Sequence, residues 1–133
     1  MLKKVLSSLG AAVLMIALPL PLWAGPLTPG AFVVDAGSYR YWSFEVSRSA
    51  RVFGQFRTQA GGGNDIRVLV IDEDEFENFR SGRNVRSYSD SGRVTAGELD
   101  LRLRSGRYVL IFDNRSSPYS NRSIASKLEL AED

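Results

Sequence analysis

The densest concentration of reactive groups in the chain is the run 72–77, Asp-Glu-Asp-Glu-Phe-Glu, with five acids in six positions. Clustered carboxylates can hold calcium, and two of them flanking a sugar can cut a glycosidic bond. The run lacks the glycine and the distal glutamate of a helical calcium loop, and acids at a helix start are favoured by its dipole without any ligand. The expectation is therefore no metal, with Asp72 and Asp74 the first residues to test should one bind.

Histidine and cysteine are both absent, which removes the usual general base, thiol nucleophile and zinc ligands together. There is no Gly-x-Ser-x-Gly elbow, and Ser123 and Lys127 stand one residue wider than a Ser-x-x-Lys pair. The glycines at 61–63 could cradle a phosphate at the head of a helix, but they lead from one predicted strand into another. The sequence thus predicts no catalytic residues, no cofactor and no enzyme.

Groups suited to binding are more plentiful. Fourteen of the 17 basic residues are arginine, whose planar fork meets carboxylates and protein surfaces better than lysine does; a genome rich in G and C accounts for the bias equally well. The candidate contacts are Tyr39 and Tyr41 on the solvent side of a strand, then Arg83, Arg86 and Tyr88, then a loop carrying Arg115, Tyr119 and Arg122. A protein partner is the first expectation. A carbohydrate or cell-wall ligand stacked on Tyr41, Trp42 or Tyr119 is the alternative, and a buried Trp42 counts against it.

These groups must be positioned by strands. The run 106–114, Gly-Arg-Tyr-Val-Leu-Ile-Phe-Asp-Asn, reads as a central strand buried on both sides, with 66–71 as a second apolar strand that pairs with it or packs against it. Residues 40–46 alternate strictly, with Trp42, Phe44 and Val46 on the inner face, and 52–58 repeat the pattern around Gly54. Leu99, Leu101 and Leu103 form another half-buried strand, Ser105-Gly106 a turn, and 89–92 a further turn. Residues 31–34 form a short strand, and 123–130 close the domain with Ile124, Leu128 and Leu130 as apolar positions. One helical connection is expected, with Asp74 as cap, Glu77 reaching back to it, Phe76 and Phe79 on one face and Gly82 as terminator. About eight short strands with one short helix describe an all-β antiparallel sandwich.

Residues 1–24 read as a cleaved signal peptide: Lys3 and Lys4 open it, an apolar run follows, and Pro19 and Pro21 interrupt it too early for a spanning helix. Cleavage takes both lysines and brings the net charge from +2 to zero. That argues against nucleic acid, which needs an unbalanced basic field. No membrane span is expected after cleavage, the address is secreted or periplasmic, and without cysteine an apolar core must hold the fold. Oligomeric state is not legible. The organisation is a signal at 1–24, an extended leader and first strand at 25–38, and one sandwich domain at 39–133.

Gly61-Gly62-Gly63-Asn64-Asp65-Ile66 before an apolar strand, followed by Gly106, Tyr108, Phe112 and Asn114, resembles the GOLD (Golgi dynamics) domain over roughly residues 40–130. The resemblance implies a β-sandwich with a protein-interaction role. Ile111 stands where membrane-protein members of that family carry one half of a disulfide, and the chain closes at Leu130-Ala-Glu-Asp133 with no coiled coil or membrane helix, so the trafficking role is not implied. The strands holding Tyr41-Trp42-Ser43-Phe44 and Gly106-Arg107-Tyr108 are similar to those of the small non-catalytic sandwich modules appended to secreted bacterial peptidases.

Overall fold

A computed structural model describes residues 23–59 and 65–133. Among them lie seven strands, β1 (Trp23–Pro26), β2 (Ala31–Val34), β3 (Tyr39–Thr58), β4 (Ile66–Asp72), β5 (Ser89–Val94), β6 (Ala96–Asp113) and β7 (Arg122–Glu132), with one α-helix, α1 (Phe76–Arg80), after a 3-10 turn at Glu73–Glu75. Every pairing is antiparallel, in the order β1-β7-β3-β6-β4-β5, with β2 also on β7.

β3 and β6 pair along nearly their whole length, from Tyr39 opposite Asp113 to Arg57 opposite Ala96. Between Val46 and Ser49 the register slips, so that Ser47 and Arg48 face Ser105 alone. A bulge of this kind bends a ladder and raises its twist. On one side of the bend, 39–46 and 106–113 join β4 and β5 in a first layer; on the other, 49–57 and 96–104 join β7, β1 and β2 in a second. The two layers close over a core that includes Phe32, Val46, Val52, Phe56, Leu99, Leu103, Tyr108, Leu110, Phe112, Ile124 and Leu128. Phe112 is fully buried, with Phe32, Trp42 and Phe56 edge-on to it at 5.0, 5.9 and 5.8 Å. A buried aromatic cluster of this kind holds a sandwich without disulfides, since deleting one such ring costs about 3–5 kcal/mol.

The sandwich class is as expected; the strand count is lower because two pairs of predicted strands are continuous. Ser105-Gly106 is not a turn but the bend inside β6, where inward positions change from odd (Leu99, Leu103) to even (Tyr108, Leu110, Phe112). Gly106 has φ +155°, and the Tyr108 hydroxyl reaches back across it to donate to the Arg104 carbonyl at 2.7 Å. The turn expected at 89–92 is likewise a bulge, with Ser91 and Gly92 facing Val68. Gly92 takes φ +65°, and the Ser91 Oγ accepts the Val68 N–H at 2.8 Å, replacing the ladder bond the bulge removes.

Part of the expected leader is a strand, since Trp23–Pro26 pairs with β7 from Glu132 to Glu129. The backbone of Trp23 and Ala24, on the near side of the expected cleavage point, takes part in that pairing. The rest of the expected signal, 1–22, and the glycines at 61–63 lie outside the described residues. No helix among the described residues is long and apolar enough to cross a membrane. The helix begins at Phe76 after the 3-10 turn, and Asp74 does not cap it.

Gly54 has φ +131°, and a Cβ there would stand 1.8 Å from the Lys127 carbonyl oxygen on β7. The Gly54→Ala variant is expected to lose about 3 kcal/mol or more in denaturant unfolding, through backbone strain and forced separation of β3 from β7. Gly92→Ala, also at positive φ but with nothing within 4 Å, should lose only about 1–2 kcal/mol. Equal losses in the two variants would show that the close approach of β7 is not what selects glycine at 54.

Candidate functional site

The first layer carries a second apolar surface on its outer side, made by Leu69 and Ile71 of β4 with Val109 and Ile111 of β6, all buried. This satisfies the two-sided burial read from the 106–114 run. The cover is α1 and the segment after it: Phe79 is buried, and Phe76, Val85 and Tyr39 pack around it. Phe76 and Phe79 stack at 6.3 Å, while Tyr39 meets Phe79 edge-on at 5.1 Å.

Arg115 pins this cover to the sheet. Its Nε and one terminal nitrogen donate to the two Asp113 carboxylate oxygens at 3.0 and 3.2 Å, its other terminal nitrogen donates to the Phe79 carbonyl at 2.7 Å, and its guanidinium stacks 3.8 Å from the Phe79 ring. A cation is favoured at a helix C-terminus, where carbonyls lack intrahelical partners. Arg115 and Tyr39, expected as solvent-side binding groups, are partly buried packing groups here. Tyr41, 48% exposed, lies 4.6 Å from Phe76 and 6.1 Å from Tyr39, so the structure brings Tyr39, Tyr41 and Arg115 together beside α1.

Arg83 and Arg86 follow α1 and are exposed. Arg83 donates to the Asn78 side chain at 2.9 Å, and the Arg86 backbone N–H donates to Glu75 at 3.1 Å. Tyr88 packs edge-on to Tyr108 and donates its hydroxyl to Asp72 at 3.0 Å, a bond that, with partial desolvation, raises its pKa. Asp74 is exposed, and among the described residues no three potential ligands converge on a metal position. Tyr119 is 95% exposed at the tip of the β6–β7 loop.

Two further candidates lie inward, Trp42 as its spacing requires. Trp42 is half-buried on the core side, edge-on to Phe32 at 4.8 Å with the Arg40 guanidinium 5.2 Å from its ring, which leaves it unsuited to stacking on a sugar. Arg122 is buried: its Nε donates to the Asp65 carbonyl at 2.8 Å and its terminal nitrogens reach the Asp65 carboxylate and the Ser120 and Asn121 carbonyls. Burial pushes the Asp65 carboxyl up, but hydrogen bonds and charge from Arg122 and Arg93 outweigh it and hold the group below the usual carboxylate range.

Sequence reasoning missed three features. Asn114 is buried, and its amide donates to the Ser120, Asp35 and Val34 carbonyls, tying the β2–β3 turn to the β6–β7 loop. Arg67 interrupts the apolar run of β4 and forks onto Asp90 at 3.0 and 2.7 Å; a charge inside so apolar a strand was the available signal. The third is an open edge: residues 39–46 pair with β6 on one side, and on the other no strand among the described residues meets them.

No family profile matches the chain, GOLD included, and no curated protein matches it. Among solved structures, the chain is similar to the pre-peptidase C-terminal domain of collagenase from Bacillus anthracis, with 13% identity and a TM-score of 0.46 over 84% of this chain and 87% of that one.

The Arg122→Gln variant is expected to lose about 2 kcal/mol or more, because Asp65 and two loop carbonyls lose their donors, whereas Tyr119→Ala should stay within about 0.5 kcal/mol of wild type. A depressed carboxyl stabilises the fold fully above its unfolded value of about 3.9 and loses that contribution as pH falls through the folded one. Acid unfolding of Arg122→Gln should accordingly show a weaker pH dependence below about pH 4; an unchanged profile would remove Asp65 from the account.

Proposed function

We propose that the chain is an exported, non-catalytic binding module that takes an extended polypeptide segment of a protein partner along the open edge of β3. The observation that carries the reading is the one-sided pairing of 39–46. Each residue there alternates a backbone donor and acceptor toward the ladder or away from it, and the outward set meets no strand among the described residues. Edges of this length are normally blunted by charged side chains, above all lysine, by proline or by a covering element; the stretch Tyr-Arg-Tyr-Trp-Ser-Phe-Glu-Val holds neither lysine nor proline, and its charges are Arg40 and Glu45 alone.

The side chains along this edge fit strand addition, in which backbone bonds give affinity and alternate side chains give selectivity. Trp42 and Phe44 are half-buried at the inner margin, and Tyr41 presents its ring on the outer face beside Phe76. The carbohydrate alternative is weaker, since Trp42 is engaged by Phe32 and Phe112, which leaves Tyr41 and Tyr119 on separate elements. The absence of histidine and cysteine from the sequence supports a module without chemistry of its own, and the signal-like residues 1–24 support export.

Panning a linear peptide library against the domain tests the reading. Binders should saturate, should protect the amides of 39–46 from hydrogen exchange, and should weaken at least tenfold against the double variant Tyr41→Lys, Ser43→Lys, which adds two lysines to the edge. Protection at the Tyr119 loop instead, or retention of soluble polysaccharide with no saturable peptide, would overturn it.

A further inference from the structure

Three arginines from three separate segments converge beside α1. Arg67 of β4, Arg83 of the segment after the helix and Arg115 beyond β6 line a cavity of about 280 Å³, together with Asn84, Gly82 and Phe79. No acidic side chain lines it. Asp90 and Asp113 engage Arg67 and Arg115 from outside that lining. Two carboxylates against three guanidiniums leave one positive charge in excess at the cavity wall.

The donors there are incompletely used. Arg83 commits only its Nε, to Asn78, and its two terminal nitrogens make no hydrogen bond among the described residues. One terminal nitrogen of Arg67 is likewise without a partner among them. The group most hostile to an anion, the Phe79 carbonyl, is already occupied by donors from Arg115 and the Gly82 backbone. Two of the guanidiniums are held in place beforehand, Arg67 by its fork onto Asp90 and Arg115 by Asp113, the Phe79 carbonyl and the Phe79 ring. Preorganised donors lower the entropy cost of closing on a ligand.

From this arrangement we infer that the cavity is a binding site for a small oxyanion, a carboxylate or a phosphate. Planar guanidinium forks match the paired oxygens of such groups, and charge-assisted bonds to them are about twice as strong as neutral ones. The volume corresponds to roughly nine waters at about 30 Å³ each, enough for one such group with part of its hydration. Arg67 and Arg115 orient the ligand as fixed walls, and Arg83, exposed and held at one nitrogen, closes over it. The site does not use the open edge of β3 and goes beyond the strand-addition reading.

Thermal unfolding of the full chain in sodium phosphate, sodium acetate and sodium chloride at one ionic strength tests the inference. Phosphate or acetate should raise the midpoint saturably, by at least ~4 °C over chloride. The effect should vanish in Arg83→Gln and persist in Arg107→Gln, an exposed arginine on β6 away from the cavity. In NMR the Arg67 and Arg83 Nε–H signals should move with the same titration. Phosphate ahead of acetate assigns the phosphate class, and acetate ahead of phosphate the carboxylate class. Equal midpoints in all three salts, or an undiminished response in Arg83→Gln, would overturn the site; neither result depends on whether peptides bind the edge.

Discussion

Hydrogen bonding between β3 and β6 on both sides of a shared bend is the constraint from which the rest of this structure follows. Because the same two strands run through both layers, the layers cannot slide or separate without breaking that ladder. The bulge at Ser47-Arg48 sets where the fold turns over, and the core is the space enclosed on its concave side. The ladder also explains the open edges. β7 covers β3 only on the second-layer side of the bend and β4 covers β6 only on the first, so each long strand keeps one half without a second partner among the described residues.

In the absence of cysteine, arginine does much of the local fastening. Arg115 ties α1 to the strand end at Asp113, Arg122 ties the start of β4 to the start of β7 through Asp65, and Arg67 ties β4 to β5 through Asp90. Each works as a fork that satisfies carbonyls or carboxylates left over where regular pairing stops. Exposed ion pairs contribute little to stability, and Arg51 with Asp100 on the outer face of the second layer is of that kind. Arg122 differs because its side chain is buried and each of its three guanidinium nitrogens meets a protein acceptor. Arg83 is the member of the set least committed to such fastening, which is why the cavity beside it can serve a ligand.

The inner faces of the sandwich were legible because period-two alternation is a local property. Trp42, Phe44 and Val46 point inward as their spacing requires, and the unbroken apolar run at 108–112 faces the core on one side and α1 on the other. What misled was glycine. Ser105-Gly106 and Ser91-Gly92 have turn chemistry, yet both sit inside strands at bulges, since positive φ serves a bulge as well as a turn and only the partner strand decides between them. The arginines were readable as binding groups but not as pins, because the acceptors of Arg115 and Arg122 on Phe79 and Asp65 lie far away along the chain. Tyr39 reads as solvent-facing by parity, and it does lie on the outer face, but only the packing of α1 shows that this face is covered there.

The antiparallel ladder also dictates an order of assembly. Its partners are nearest along the chain at Arg57 and Ala96 and farthest at Tyr39 and Asp113, and the entropic penalty of loop closure grows with the length closed. Pairing of β3 with β6 is therefore cheapest to nucleate at the inner end, where the second layer forms, and must zip through the bulge to reach Tyr39, while β4 reaches β6 independently at Asp72 and Tyr108, a pair no farther apart along the chain than Arg57 and Ala96. A chain of this topology is rich in long-range contacts and belongs among slow folders. During that interval the aromatic residues of the 39–46 segment are the last of β3 to find shelter.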